Sequence, residues 1–167
     1  PLYIQNPLAD LNQQNWTETA SVESTPSIGT RWTAHLNTED EVMLDIVALT
    51  SNTLTVVLSP ASSEQSAYGY WQIQAQDNEE FYGLGESFDQ VARRGTYRAL
   101  NFQIIPDSES GYNEAHIPVP LLISTMGHAY FLESDQPTYF DVAYETEDRV
   151  RAEVGRPTPL KLHLMWG

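Results

Sequence analysis

Cysteine is missing from all 167 positions of the chain. This absence excludes disulfide bonds, thiolate metal sites and thiol nucleophiles, and it leaves the redox compartment undetermined. The sequence is therefore compatible with a cytoplasmic location and with export after removal of a leader.

Basic side chains are few: the chain has 8 lysines and arginines but 23 aspartates and glutamates, which gives a formal net charge of -15. The resulting field repels phosphate backbones and anionic lipid surfaces. The chain also lacks the run of about 18 apolar residues that a membrane-spanning helix needs. We therefore expect a soluble domain that has neither nucleic acid nor a membrane as its partner.

Motifs for metal, nucleotide or nucleophilic chemistry are missing as well. The four histidines, of which His128 and His163 are two, do not have the spacing that places two ligands on one metal. No Gly-x-Ser-x-Gly elbow and no glycine-rich phosphate loop are present. We expect no metal and no cofactor, and we interpret His128 and His163 as structural histidines with satisfied hydrogen bonds.

Acidic residues, in contrast, are abundant, and neighbouring acids have the side chains that glycoside hydrolysis uses as general acid and base. Three such pairs are Glu79 with Glu80, Asp107 with Glu109, and Glu145 with Glu147. In a chain with 23 acidic residues, pairs of this kind arise from composition alone. They do not nominate a catalytic site.

The chain has the size and the apolar fraction, 41%, of one folded domain, which we place at residues 1–167. Short β-branched and aromatic runs separated by turn residues predict an all-β antiparallel sandwich. From Val42 to Pro60 two such runs flank Thr50 to Thr53 and predict a hairpin. Alternation in Leu160 to Met165 predicts a last strand with one buried face. Glu86 to Arg94 is the one segment compatible with a short helical turn.

We predict further strands in seven other segments. They are Thr30 to Leu36, Tyr70 to Ala75, Thr96 to Asn101, Ile117 to Ser124, Ala129 to Glu133, Tyr139 to Tyr144 and Val150 to Val154.

A long polar loop, Phe102 to Pro118, interrupts the strands, and loops of this length in compact domains are often functional. Aromatic faces stack on sugar rings while their polar tips form hydrogen bonds. Trp16, Trp32, Tyr70 and Trp71 sit where most aromatics are core residues. Tyr112 in the long loop is the best candidate for a stacking contact.

Four ordered elements between Phe81 and Ser124 resemble the N-terminal domain of glycoside hydrolase family 31, which includes α-glucosidases, α-xylosidases and sulfoquinovosidases. In chain order they are Phe81-Tyr82-Gly83-Leu84-Gly85-Glu86, Arg93-Arg94-Gly95, Leu100-Asn101-Phe102-Gln103, and the apolar run Ile117 to Ser124 that enters the turn Ser124-Thr125-Met126-Gly127. The resemblance implies a galactose-mutarotase-like sandwich.

The first of these elements also has a physical explanation of its own. Gly83 and Gly85 allow a sharp turn with positive φ, while Leu84 points into the core. Glu86 is then placed to accept backbone N–H bonds or to pair with Arg93 or Arg94. We therefore interpret Glu86 as a residue that braces the loop rather than as a catalytic acid.

In the family, two catalytic aspartates that act by a retaining double displacement belong to a (β/α)8 barrel that follows the sandwich. The resemblance thus implies that a barrel is expected after residue 167, and that this chain alone carries no catalytic residue and is inactive. Its partners would be that barrel and an α-linked oligosaccharide or glycoside.

In several relatives, the loop after the Arg-Gly turn lines the sugar pocket, with an Asp of an Asn-x-Asp element on the substrate hydroxyls. The matching positions are Asn101 and Gln103, and Gln103 replaces the acceptor-only carboxylate with an amide that donates and accepts. The candidate substrate-binding residues are Asn101, Phe102, Gln103 and Tyr112.

Two other functions fit the same fold. A stand-alone carbohydrate-binding module would use a sheet face or the long loop, with Tyr112 as its stacking platform. An aldose mutarotase-like epimerase would need a His and a Glu on opposite sides of a sugar ring, and no spacing in the chain nominates such a pair.

Overall fold

The computed structural model of the chain describes residues 19–24, 31–36, 41–60, 70–87, 89–100, 117–154 and 159–167. Within these ranges every regular element is a β-strand and all strand pairs are antiparallel. The strands are β1 (Thr19–Ser24), β2 (Arg31–Leu36), β3 (Glu41–Leu49), β4 (Thr53–Pro60), β5 (Tyr70–Gln74), β6 (Phe81–Gly83), β7 (Thr96–Leu100), β8 (Leu121–Ser124), β9 (His128–Glu133), β10 (Thr138–Val142), β11 (Arg149–Val154) and β12 (Leu160–Trp166). In the described part of the chain, no helix is long and apolar enough to cross a membrane.

Two sheets form the predicted sandwich. The eight-stranded sheet has the order β1-β2-β3-β4-β12-β9-β8-β6, and the four-stranded sheet has the order β5-β11-β10-β7. Among the described side chains, the core between them is built by alternate residues of β4 to β12, because successive side chains point to opposite faces. Leu122, Leu132 and Leu162 of the eight-stranded sheet thus share one buried cluster with Phe140 and Val150 of the four-stranded sheet.

Aromatic rings fill the middle of this core. The ring of Trp71 stacks on Tyr130 with centroids 4.8 Å apart and meets the edge of Phe140 at 6.5 Å. Burial, followed by the nearby charge of Glu79, raises the pKa of Tyr130 to about 12. Trp71 therefore belongs to the core rather than to a sugar-stacking surface.

Most of the predicted strands are present, and the two best-supported predictions are confirmed. The β3–β4 hairpin closes at Thr50, whose N–H donates to the Thr53 carbonyl at 2.8 Å. Leu160 and Leu162 are buried while Lys161 and His163 face away from the core.

The observed strand boundaries differ from the predicted ones where a proline or a turn ends the hydrogen bonding between strands. Strand β8 begins at Leu121 rather than at Ile117, because Pro118 and Pro120 have no N–H to donate to a neighbouring strand. Strand β10 ends at Val142 because Ala143 has a φ of 56°. The Asp141 carboxylate then accepts the Tyr144 N–H at 2.8 Å and closes the turn.

One other prediction is corrected, and two strands were missed. The described residues of Glu86 to Arg94 form bends and a turn, so the predicted helical turn is wrong. Two short strands, β1 and β6, were not predicted.

Candidate functional site

The candidate substrate-binding loop lies outside the described residues. Asn101, Phe102, Gln103 and Tyr112, and with them the acid pair Asp107 and Glu109, fall between Leu100 and Ile117. The structure describes the residues on either side of this loop, Leu100 and Ile117, and the segment that contacts them.

Both ends of the loop meet at one cleft. Leu100, the last residue of β7, is buried in the core, and Pro118 and Pro120 precede β8. Together with the β9–β10 turn they border a cleft of about 240 Å³, whose other lining residues are Ser134, Asp135, Gln136, Pro137 and Thr138. The lining mixes proline rings with carboxylate, amide and hydroxyl groups.

The returning end of the loop rests on the glycine-rich turn that follows β6. Gly83, Leu84 and Gly85 all have positive φ, at 107°, 62° and 80°, and the Leu84 side chain is buried, as the sequence predicted. The Leu84 N–H donates to the Leu121 carbonyl at 2.8 Å. A Cβ on Gly85 would lie 2.0 Å from the Ile117 carbonyl oxygen, so only glycine lets the two segments approach this closely.

Two buried arginines and one aspartate fix this turn. Arg93 is 4% exposed and donates from its backbone N–H to the Phe81 carbonyl at 2.7 Å and from Nε to the Gly83 carbonyl at 2.8 Å. Asp89 binds Arg98 Nη2 at 2.5 Å and lies 3.9 Å from Arg93 Nη1. The contact with Arg98 ties the turn after β6 to β7, the strand from which the loop leaves.

These contacts shift the pKa values of the charged side chains in the turn. Burial alone would raise the pKa of Asp89, but the hydrogen bond from Arg98 holds it below its ordinary value. Burial lowers the pKa of Arg93, the Arg98 charge lowers it further, and Asp89 opposes both effects. Asp89 is therefore one anion that stabilises both guanidinium groups.

The role predicted for the Glu86 side chain is wrong. Glu86 is exposed, and within the described part of the chain its carboxylate has neither a hydrogen bond nor an ion pair. Its backbone N–H donates to the Ile117 carbonyl at 3.2 Å. Arg94 donates to the carbonyls of Gln76, Glu79 and Glu147 at 2.8–2.9 Å instead of pairing with Glu86.

A second polar cluster, which the sequence did not predict, lies at the β8–β9 turn. Glu79 is 1% exposed, accepts the Gln76 N–H at 2.9 Å and accepts a hydrogen bond from the Ser124 hydroxyl. Its Oε1 also lies 2.9 Å from His128 Nε2. Glu79 and Ser124 are 45 residues apart, which is why no local spacing points to them.

The contacts of Glu79 in this cluster argue against two earlier possibilities, a catalytic acid pair and the His and Glu of an epimerase. The Glu79 carboxylate is occupied by protein donors, and Glu145 and Glu147 lie in the exposed β10–β11 turn. An epimerase needs its His and Glu separated by a sugar ring, whereas Glu79 and His128 are in direct contact. The prediction that the hydrogen bonds of His128 are satisfied is wrong, because its buried Nε2 has no hydrogen-bond partner among the described residues.

His163 is a structural histidine. Its Nδ1 lies 2.9 Å from the Thr55 hydroxyl and its Nε2 lies 2.7 Å from Glu133 Oε2. Hydrogen bonds from Lys161 and His163 lower the pKa of Glu133. The described residues contain no cluster of three His, Asp or Glu side chains that would hold a metal ion.

The outer face of the four-stranded sheet holds a carboxyl with a strongly perturbed pKa. Glu153 is buried, and burial raises its pKa to about 7; Arg151 opposes this shift, while Glu145 and Asp141 add to it. Tyr97 and Tyr139 stack nearby with ring centroids 6.3 Å apart, and Arg151 lies over the Tyr70 ring at 5.3 Å. Tyr70 is therefore engaged by an arginine of its own sheet.

Residues 9–141 match the family model described as the glycosyl hydrolase 31 N-terminal galactose mutarotase-like domain. No curated protein sequence matches the chain significantly.

Several solved structures share the fold at low sequence identity. A cycloalternan-forming enzyme from Listeria monocytogenes has a TM-score of 0.68 at 14% identity, over 91% of this chain and 21% of that one. A sulfoquinovosidase from E. rectale has a TM-score of 0.61 at 12% identity, over 90% and 24%. A dextranase from Flavobacterium johnsoniae has a TM-score of 0.59 at 12% identity, over 93% and 27%. The chain spans about a quarter of the length of these proteins.

Proposed function

Because this chain belongs to the family of glycosyl hydrolase 31 N-terminal galactose mutarotase-like domains, we propose that it is the non-catalytic sandwich of a longer α-glycosidase. In this role it supports a catalytic (β/α)8 barrel of the same polypeptide and contributes a loop to the sugar pocket. The substrate is an α-linked oligosaccharide or glycoside, which the barrel cleaves with retention of configuration. The family match over residues 9–141 carries this proposal.

The geometry around the loop ends supports the second part of the proposal. Leu84 and Glu86 hold the returning backbone at Leu121 and Ile117, and Asp89 binds Arg98 two residues before the loop departs. A loop anchored at both ends costs less entropy to order over a substrate than a free segment does. The rigid turn after β6 thus serves to position residues that bind sugar.

Within that loop, we propose that Gln103 contacts substrate hydroxyls, flanked by Asn101 and Phe102, and that Tyr112 packs on a sugar ring. An amide at position 103 donates as well as accepts, so it can bind a hydroxyl in either orientation. The substrate preference would then differ from that of relatives that carry a carboxylate at this position.

Substitution of Gln103 in the longer protein tests this contact. We expect Gln103→Ala to lower kcat/KM for an aryl α-glycoside about tenfold, because one hydrogen bond in the transition state is removed. The matched control is Gln76→Ala, since the Gln76 side chain is exposed in the β5–β6 turn. Steady-state kinetics give the comparison, and equal kcat/KM values for both variants would refute the proposed contact.

A further inference from the structure

Three prolines line the cleft that borders both ends of the loop. Pro118 and Pro120 belong to the segment before β8, Pro137 belongs to the β9–β10 turn, and we call this space of about 240 Å³ the proline cleft. The Leu132 N–H donates to the Pro120 carbonyl at 2.9 Å, which ties the first segment to β9. Because proline rings fix φ, this lining loses little conformational freedom when a ligand binds. The proline cleft is therefore a pre-formed space.

The β9–β10 turn places a carboxylate and an amide side by side in the proline cleft. Gln136 Nε2 donates to Asp135 Oδ1 at 3.0 Å, and the Gln136 backbone N–H donates to the Ser134 hydroxyl at 3.0 Å. Asp135 is exposed and Gln136 is half-buried. Their mutual contact uses one carboxylate oxygen and one amide N–H, so the other oxygen and the other N–H can bind a ligand. An acceptor beside a donor matches two adjacent hydroxyl groups.

The size and the lining of the proline cleft indicate a single sugar ring. Pockets for drug-sized ligands enclose about 300–1000 Å³, whereas this cleft encloses about 240 Å³. The proline rings offer apolar surface to the C–H groups of a pyranose, while the pair of Asp135 and Gln136 binds hydroxyls at its edge. An apolar ligand would cover these polar groups without binding them, which costs free energy.

Asp135 also determines which charge the ligand can carry. It is the one charged residue among the described residues that line the proline cleft. Within the described part of the chain, no ion pair engages its carboxylate. The net charge of -15 adds a field that repels anions. A sugar that carries a sulfonate or a carboxylate is therefore disfavoured relative to a neutral one.

We propose that the proline cleft is a binding subsite for one neutral pyranose ring, in which Asp135 and Gln136 bind adjacent hydroxyls and the prolines pack on the ring. This proposal rests on the proposed function, which supplies an α-linked sugar as the ligand. It adds a neutral substrate class and a contact outside the loop that carries Gln103. Leu100 and Pro118, at the two ends of that loop, both line the cleft, so the ring lies beside the segment proposed to bind sugar.

An NMR titration of the isotope-labelled chain with methyl α-D-glucopyranoside tests the subsite. We expect the backbone amide signals of Gln136 and Thr138 to shift with a dissociation constant in the millimolar range, because few polar groups take part. Gln136→Ala should weaken binding about fivefold, since one hydrogen bond is lost. The matched control is Gln76→Ala, which should leave the affinity unchanged because the Gln76 side chain is exposed in the β5–β6 turn.

Methyl α-D-glucuronide, which carries a carboxylate on the same ring, tests the preference for a neutral ligand. The unaltered chain should bind it about tenfold more weakly than the glucoside, because its charge meets that of Asp135. Asp135→Asn should reduce this difference, since the amide carries no charge.

Three results would overturn the subsite: no shift at Gln136 and Thr138, shifts confined to other residues, or equal affinity of Gln136→Ala and the unaltered chain. Equal affinity of the unaltered chain for the glucoside and the glucuronide would overturn the preference for a neutral ring. Because these titrations measure binding without catalysis, failure of the proposed function is recognised separately, by the lack of α-glycoside hydrolysis in the longer protein.

Discussion

Asp89→Ala is expected to lower the free energy of unfolding by about 2 kcal/mol at pH 7, since it removes a charge-assisted hydrogen bond to a buried guanidinium group. Asp89 lies 2.5 Å from Arg98 and 3.9 Å from Arg93, two residues that are 2% and 4% exposed. Asp89 itself is partly exposed, which places the effect at the lower end of such losses. Urea denaturation, with an unchanged m-value, measures it.

The control for this prediction is another aspartate paired with an arginine. Asp148 lies 3.6 Å from Arg149 with both side chains more than half exposed, so Asp148→Ala should cost at most about 1 kcal/mol. Because the pKa of Asp89 lies below its ordinary value of 3.8, its contribution is present above that pH and is lost as the pH falls further. Equal losses in the two variants at pH 7 would contradict the role given to Asp89.

Glu153→Gln is expected to remove a pH dependence of stability. The pKa of Glu153 is raised from 4.5 to about 7, chiefly by burial, so the folded state binds a proton more tightly than the unfolded state. Stability from this group is complete below pH 4.5 and is lost as the pH rises to 7, by up to about 3 kcal/mol. Glutamine resembles the protonated form and does not titrate.

The measurement is the difference in unfolding free energy between Glu153→Gln and the unaltered chain at pH 5 and at pH 8. We expect the variant to gain about 2–3 kcal/mol relative to the unaltered chain between these pH values. Glu147→Gln, in the exposed β10–β11 turn, is the matched control. A constant difference for Glu153→Gln would mean that this carboxyl titrates normally.

Local patterns were enough to predict the sandwich. Alternation in Leu160 to Met165 and the turn residues after Leu49 are local signals, and both elements lie where they were predicted. Strand β1 has the sequence TASVES, whose apolar residues are too few to mark a buried face. Strand β6 has three residues, and glycine at its end resembles a turn.

Contacts between distant segments could not be predicted in the same way. Glu86 and Asp89 are both acids that precede Arg93 by a few residues, and only the packing of the turn against β7 decides that Asp89 binds Arg98. Glu79 meets Ser124 and His128 because the β5–β6 and β8–β9 turns lie at the same end of the sandwich. The φ values at Gly83 and Gly85, in contrast, followed from the residues themselves.

The most direct test is the hydrolysis of aryl α-glycosides by the 167-residue chain and by the proposed longer protein. We expect turnover by the longer protein and none by the 167-residue chain, since the catalytic carboxylates are proposed to lie in the barrel. Turnover by the purified 167 residues, with acid pairs or Glu79 and His128 as the catalysts, would contradict this expectation.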